Sequence, residues 1–320
     1  MVQHRLTHLP IQRFKQRTAA SLLIAFSAAF MPAICLSDTG KLLLTGGVST
    51  VEGAAGGGIS PWAVIGTQAT QGEIGFSAHA SRVSTTDYGL SAYGAVLGWN
   101  DRVELSLAKQ DLDTGITGTL LGIPGLHLKQ DIVGIKVKLA GDAVLDSDSL
   151  MPQIAAGLQF KSLGSTGLDA TLTALGAKRS GVDAYVSATK LFLGQGILVN
   201  GTLRASKANQ NGLLGFGATL GGAKQGYELL PEVSVAVLLR NNLAIGAEYR
   251  KMSNRLQVAG NAAGLGDGLR SSDWKDVFIA WAPSKHLSLT LAYVDLGLIV
   301  PATTAKRRQT GAYLSAQVVF

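Results

Sequence analysis

Cysteine, charged residues and long apolar runs are all scarce in this 320-residue sequence. Cys35 is the only cysteine, which excludes an intrachain disulfide and any metal site built on paired thiolates. Charged residues make up 15% of the chain and hydrophobic residues 47%, a balance that disfavours an ordinary soluble protein. After the N-terminal region, no stretch approaches the roughly 18 consecutive apolar residues of a membrane-spanning helix. The apolar residues are therefore spread over short segments, which favours strands.

Positive charge is concentrated at the N-terminus. Arg5, Arg13, Lys15 and Arg17 all precede the first acidic residue, Asp38. Without those four, 24 basic residues remain against 21 acidic ones, so the formal net charge decreases from +7 to +3. An excess of this size does not predict nucleic-acid binding.

The first 37 residues have the pattern of a secretory signal peptide. The four basic residues are followed by an apolar stretch at residues 19–30, then by Pro32 and small residues up to Ser37. We expect cleavage near Ser37, with cleavage after Cys35 as the alternative; an uncleaved anchor and a lipidated Cys35 fit the pattern less well. The exported domain is then residues 38–320.

A period-two alternation of apolar and polar residues dominates the exported part. Val133 and Ile135, for example, share one face of a predicted strand, and Lys136 and Lys138 share the other. Such segments recur at lengths of about ten residues, the length of a tilted strand that crosses a bilayer. They predict strands with one apolar and one polar face.

We predict an all-β fold, an antiparallel up-and-down transmembrane β-barrel of about 14 strands, with 12 as the nearest alternative. An even number is expected for a single-chain bacterial barrel. The predicted strands are residues 41–47, 62–70, 73–83, 88–99, 102–111, 130–140, 151–161, 182–192, 197–205, 227–240, 243–251, 273–282, 287–296 and 310–320.

The links between these strands alternate between short and long, as the periplasmic turns and outer loops of such barrels do. The glycine-rich residues 53–58 predict one more flexible outer loop, able to fold into the barrel mouth. The last predicted strand places Phe320 on its apolar face, which resembles the C-terminal signature that the barrel-assembly machinery recognises. These features predict the outer membrane of a Gram-negative bacterium.

Five segments resemble an uncharacterised Gram-negative family, domain of unknown function 3034. The resemblance spans nearly the whole exported chain and implies an exported barrel-like protein. It supplies no established catalytic or binding residues. The segments are LLLTGGVSTVEGAAGGGISPWAVIG (42–66), RVELSLA (102–108), GVDAYVSATKLF (181–192), PEVSVAVLLRNNLAIGAEYR (231–250) and DVFIAWAPSKHLSLTLAYVDLG (276–297).

Charged residues on the polar strand faces are the candidate site. If those faces line the lumen, the charges either form a conducting constriction or pair with one another across a narrow, plugged interior. The sequence leaves both interpretations open. The lumen-lining candidates are Lys136, Lys138, Arg204, Glu232, Glu248 and Arg250.

Catalytic chemistry has little support. His79 shares a predicted inward face with Ser77 and Ser81, but residues two apart on a strand lie in a row and do not converge on one reacting atom. No HExxH, paired-cysteine, EF-hand or P-loop pattern is present, so we expect no metal and no cofactor.

The sequence therefore predicts a passive, porin-like channel for small hydrophilic solutes. The alternative is a closed structural or adhesive barrel that binds through its long loops, and an envelope lipid hydrolase is a weaker one. Expected partners are outer-membrane lipid, lipopolysaccharide phosphates near Lys306, Arg307 and Arg308, and the assembly machinery through Phe320. We expect no nucleic-acid partner, and one or three copies of the chain per assembly.

Overall fold

The computed structural model describes residues 41–144, 150–164 and 167–320. The predicted signal peptide, residues 1–37, and its cleavage near Ser37 lie outside the described residues. A short antiparallel hairpin, β1 Val48–Ser49 and β2 Ala55–Gly56, precedes a closed barrel of twelve strands.

The barrel strands follow one another in chain order, each antiparallel to its neighbours. β14 pairs with β3 to close the barrel, through register partners such as Ser81 and Ser315. The strands are β3 Ile74–Thr85, β4 Gly89–Trp99, β5 Val103–Asp113, β6 His127–Ala140, β7 Gln153–Leu163, β8 Ser180–Phe192, β9 Ile197–Ser206, β10 Glu228–Arg240, β11 Leu243–Arg250, β12 Trp274–Ser284, β13 Leu287–Asp295 and β14 Thr310–Val319.

The predicted fold class is confirmed, and the strand number is the alternative, twelve. The first two predicted strands, residues 41–47 and 62–70, are not barrel strands. Residues 48–67 comprise the segment between these two predicted strands and the first part of the second. All of them are buried. Their apolar residues pack inside the protein and not against lipid. The apolar pattern that resembles a membrane-spanning strand therefore reflects burial inside the barrel.

The two ends of the barrel differ in their connections. At the short-turn end, links such as residues 241–242 and 285–286 are tight, and the link after β6 is longer. At the long-loop end, most links carry short helices, although β3 and β4 are joined by residues 86–88. These helices are α1 Gly115–Leu120, α2 Asp169–Ala174 and α3 Arg255–Ala262, with 3-10 turns at Gln210–Gly212, Leu220–Gly222 and Gly266–Leu269. None of the helices in the described part of the chain is long and apolar enough to cross a membrane.

The outer face of the barrel is apolar and uncovered. On β5 and β6, Leu107 and Val133 are 58% and 51% exposed, while Gln110 and Lys136 on the opposite faces are at most 1% exposed. A closed barrel pairs every strand edge, so it can present such a surface to hydrocarbon without unpaired backbone groups. This is the arrangement of an outer-membrane protein.

Candidate functional site in the barrel interior

Residues 48–67, named the plug here, form a folded segment inside the barrel. The β1–β2 hairpin closes on itself, and the Val51 amide donates to the Gly58 carbonyl at 2.9 Å. Gly53 has a φ of +92°, and a Cβ atom at Gly56 would lie 2.0 Å from the Ser60 carbonyl oxygen. The predicted flexible loop at residues 53–58 is thus a tightly packed turn, because its glycines permit close approach of backbone to backbone.

A buried charge network joins the plug to the barrel wall through Glu52. Oε2 of Glu52 lies 3.0 Å from Nη2 of Arg204 and 3.0 Å from Nη1 of Arg250, and Oε1 contacts the Lys161 ammonium. Glu52 is fully buried and its three partners are at most 3% exposed. Plug and wall therefore meet in an ionic contact from which water is excluded.

The positive and negative charges of this network are equal in number only when Glu52 of the plug is included. The wall supplies three cations, Lys161, Arg204 and Arg250, and two anions, Asp183 and Glu232. Burial alone would raise the pKa of Glu52, but the cations outweigh that effect and hold the pKa below its ordinary range. Glu52 is therefore ionised and supplies the third negative charge.

A second wall pair holds the plug backbone. Nζ of Lys136 lies 3.1 Å from the Glu104 carboxylate and donates to the Val64 carbonyl oxygen at 2.7 Å, with the Trp62 and Ala55 oxygens at 3.1 and 3.2 Å. Glu104 accepts hydrogen bonds from the Ala55 and Gly66 amides at 3.1 and 2.9 Å. The pair thus satisfies both donors and acceptors of the plug, which keeps its own buried charges hydrogen-bonded.

Neutral and acidic side chains from other strands complete the enclosure. Glu248 accepts from the Ile59 amide at 2.9 Å, and Gln110 donates to the Val51 carbonyl at 2.7 Å. On β8, Thr189 accepts from the Ala63 amide at 2.8 Å. The wall that faces the plug is therefore polar around much of the barrel.

The structure places five of the six lumen-lining candidates in contact with the plug or with the network around it. Arg204, Glu232 and Arg250 belong to the Glu52 network. Lys136 and Glu248 bind plug backbone as described above.

Lys138 lies apart from the other candidates, at the short-turn end. Its ammonium is 2.7 Å from Asp101, which also pairs with Lys41. These residues, with Asn100 and Gln153, line a cavity of about 650 Å³ at this end.

Three residues of the site were not predicted from the sequence, namely Glu52, Lys161 and Asp183. Lys161 lies on the polar face of a predicted strand, and that face was the available signal. Asp183 lies on β8, where the alternation is weaker, and Glu52 directly precedes the predicted loop at residues 53–58. A lone acidic residue in a glycine-rich, otherwise apolar stretch was the available signal for Glu52.

The catalytic candidates do not form a site. His79 is 5% exposed and faces inward, but neither ring nitrogen has a hydrogen-bond partner among the described residues. Ser77 donates to the Gly66 carbonyl at 2.9 Å and Ser81 to Ser315 at 2.8 Å. Within the same residues, no group of three or more His, Cys, Asp or Glu side chains has a geometry suited to a metal ion.

The basic loop cluster is partly neutralised within the protein. Arg307 pairs with Asp87 at 2.5 Å, and Arg308 pairs with Asp295 at 2.5 Å. Less charge is therefore available to external phosphates than the sequence alone indicates.

Several outer-membrane proteins of known structure are similar to this chain. The KdgM porin and the NanC porin are 9% and 6% identical, with TM-scores of 0.45 and 0.46. Each similarity covers 76% of this chain, and 99% and 98% of the respective porin. An outer membrane channel from Pseudomonas putida F1 is 14% identical, with a TM-score of 0.43 over 78% of this chain and 96% of the channel.

Outer membrane phospholipase A from Escherichia coli is also similar, at 9% identity and a TM-score of 0.39 over 76% of this chain and 89% of the enzyme. No curated protein has a matching sequence. The model of one family, described as Protein of unknown function (DUF3034), matches residues 45–317. The match extends from just before the plug to the last strand, and the chain belongs to that family.

Proposed function

We propose that this protein is a porin-like outer-membrane channel for small hydrophilic solutes, closed by its own plug and opened when the plug moves. The observation that carries the proposal is the contrast between a polar wall and the separate segment that fills it. Ser187 and Thr202 donate to the Pro61 carbonyl, and Gln153 donates to the Ala63 carbonyl. A wall built in this way would be wetted once the plug left it.

The closed state is supported by the burial of the wall charges. Arg204, Glu232 and Lys136 are each 1% exposed, whereas an open constriction would leave such groups in water. Conduction therefore requires displacement of the plug. The cavity at the short-turn end, described above, offers space on that side.

The proposal is tested by conductance in planar lipid bilayers. The exported chain should conduct rarely, and a variant without residues 48–67 should conduct steadily, because the polar wall then lines an aqueous pore. Heat-modifiable migration on gels identifies folded barrels in both samples. If the folded deletion variant stays silent, the channel proposal is overturned.

A disulfide tether separates motion of the plug from its mere presence. The Ala63 amide lies 2.8 Å from Oγ1 of Thr189, close enough for a cysteine pair at these positions to be tested. Cys35 is the only native cysteine and lies outside residues 38–320, so the pair has no competitor. In Ala63→Cys/Thr189→Cys, oxidation should abolish the rare openings and reductant should restore them, while Ala63→Cys alone should respond to neither.

A closed structural or adhesive barrel is the second candidate. The full pairing of the Glu52 network favours it, since a permanently filled barrel needs all its buried charges satisfied. Conductance that is absent from the native chain under all voltages, together with a plug that never exchanges its amides with solvent, would select this candidate.

A further inference from the structure

A second cavity lies at the long-loop end, outside the plug and its network. Its volume is about 400 Å³, within the roughly 300–1,000 Å³ typical of small-molecule sites. Barrel residues such as Leu90, Leu112 and Leu128 form its wall, and loop residues such as Leu172 and Ile299 cover it. The cavity is thus lined by both wall and loops.

The lining excludes a charged occupant. It consists of aliphatic, aromatic, threonine and glutamine side chains, with no charged residue among the described lining. An ion placed there would lose its hydration without gaining a partner, which is strongly unfavourable. An uncharged, mostly apolar molecule meets no such cost.

The cavity reaches the surface between the loops. Leu121 and Leu265 line it and remain 45% and 50% exposed. Leu120 on α1 and Val258 on α3, close in sequence to the lining residues Leu121 and Leu256, are 61% and 44% exposed. Exposed apolar side chains at the rim of an apolar cavity give a hydrophobic molecule an entrance.

Two polar atoms on the lining residues lack partners. The indole nitrogen of Trp274 and Oε1 of Gln210 are buried, and neither has a hydrogen-bond partner among the described residues. The Gln210 amide orientation is fixed, because its nitrogen donates to the Leu298 carbonyl, which can only accept. A hydroxyl group is able both to accept from an indole N–H and to donate to an amide oxygen.

We propose that this cavity binds an uncharged, predominantly aliphatic small molecule that carries one hydroxyl group, such as a medium-chain alcohol. The hydrocarbon part fills the leucine-lined space, and the hydroxyl satisfies Trp274, Gln210 or both. No plug residue lines this cavity, so failure of the channel proposal leaves the binding proposal standing.

Native mass spectrometry of the folded, detergent-purified exported chain tests the proposal, with 1-decanol, decane and decanoate as probes. We expect one saturable 1-decanol per chain, with decane weaker and decanoate weaker by about tenfold or more because its charge has no partner. Equal binding of decanoate and 1-decanol, or no saturable binding of either, overturns the proposal.

Cavity-filling variants locate the site. Leu172→Trp should abolish saturable 1-decanol binding, because the larger ring occupies the space. Leu107→Trp is the matched control, since Leu107 points to the lipid and is 58% exposed. Undiminished binding in folded Leu172→Trp contradicts the assignment.

A fluorescence measurement covers the case in which Leu172→Trp does not fold. A chain with Trp62, Trp99 and Trp281 replaced by phenylalanine retains Trp274 alone. Bromine-labelled 1-decanol should quench its emission saturably, and unlabelled 1-decanol should reverse the quenching. Quenching that rises without saturation indicates membrane partition only and overturns the proposal.

Discussion

The middle of the barrel and its long-loop end are built from the same strands but have opposite chemistry. On β5 the inward row passes from Glu104 and Gln110, which bind the plug, to Leu112, which lines the apolar cavity. On β6 it passes from Lys136 to Leu128 in the same direction. The interior of one barrel therefore holds two environments, selected by position along the strand and not by the face of the sheet.

The difference shows what each environment can hold. The polar level of the interior, where Glu104, Gln110 and Lys136 lie, supplies hydrogen-bond partners to the backbone of the plug, because buried amide and carbonyl groups need such partners. The apolar level, where Leu112 and Leu128 lie, has almost no hydrogen-bonding side chains. A peptide backbone would therefore be left without partners there.

Glu52→Gln should weaken the contact between the plug and the barrel wall most strongly. The wall would keep three buried cations against two anions, and removal of one partner of a buried ion pair costs about 3–5 kcal/mol. Amide hydrogen exchange of residues 48–67 should accelerate by about 10²-fold or more, since each 1.4 kcal/mol is a factor of ten. Bilayer conductance should increase in parallel.

Arg308→Gln is the control for that substitution. Arg308 pairs with Asp295 at the long-loop end, where the arginine side chain is 53% exposed, and such exposed pairs contribute little. Unchanged exchange in both variants would show that the Glu52 network does not hold the plug.

Lys136→Met should have the next largest effect. It removes the donor to three plug carbonyls and leaves Glu104 as an uncompensated buried charge, at a cost of about 2–4 kcal/mol. The double variant Lys136→Met/Glu104→Gln removes both charges and should recover part of the loss in a double-mutant cycle. Strict additivity of the two single variants in plug exchange would contradict the pairing.

Gly56→Val should loosen the plug through sterics alone. Its Cβ would lie 2.0 Å from the Ser60 carbonyl oxygen, so the hairpin must open, at about 1–3 kcal/mol. Limited proteolysis within residues 48–67 should become faster. Gly201→Ala is the control, since nothing lies within 4 Å of its added Cβ, and it should leave proteolysis unchanged.

Trp274→Phe should produce the smallest change, because the substitution keeps the aromatic ring against which the Arg250 guanidinium lies, 5.5 Å from the ring centre. It keeps a ring in the cavity lining but removes the indole N–H, worth about 0.5–1.5 kcal/mol in a hydrogen bond. Binding of 1-decanol should weaken by about 2- to 10-fold, while decane binding should stay the same. An equal loss for both probes would point to altered packing instead of a lost hydrogen bond.

The barrel strands were predictable because lipid outside and a polar interior impose a strict period of two. The predicted strand 130–140 corresponds to His127–Ala140, and 287–296 corresponds to Leu287–Asp295. At such positions local pattern and environment agree, so boundaries differ by only a few residues.

The plug was not predictable in the same way. Its burial depends on side chains far away in sequence, as Glu52 and Arg250 show by a separation of 198 residues. Its apolar residues and glycines suit both a spanning strand and an enclosed turn, and only the twelve closed strands decide between them. The apolar cavity was also missed, because Leu112 and Leu128 interrupt the alternation near strand ends, where sequence patterns are weakest.

The charges around Glu52 also bear on the order in which the protein assembles. A barrel that closed before residues 48–67 entered would contain three buried cations and two carboxylates, so one guanidinium or ammonium group would have no carboxylate partner. We therefore expect residues 48–67 to enter the barrel before β14 pairs with β3, so that the last strand pair to form encloses a segment synthesised before all twelve barrel strands.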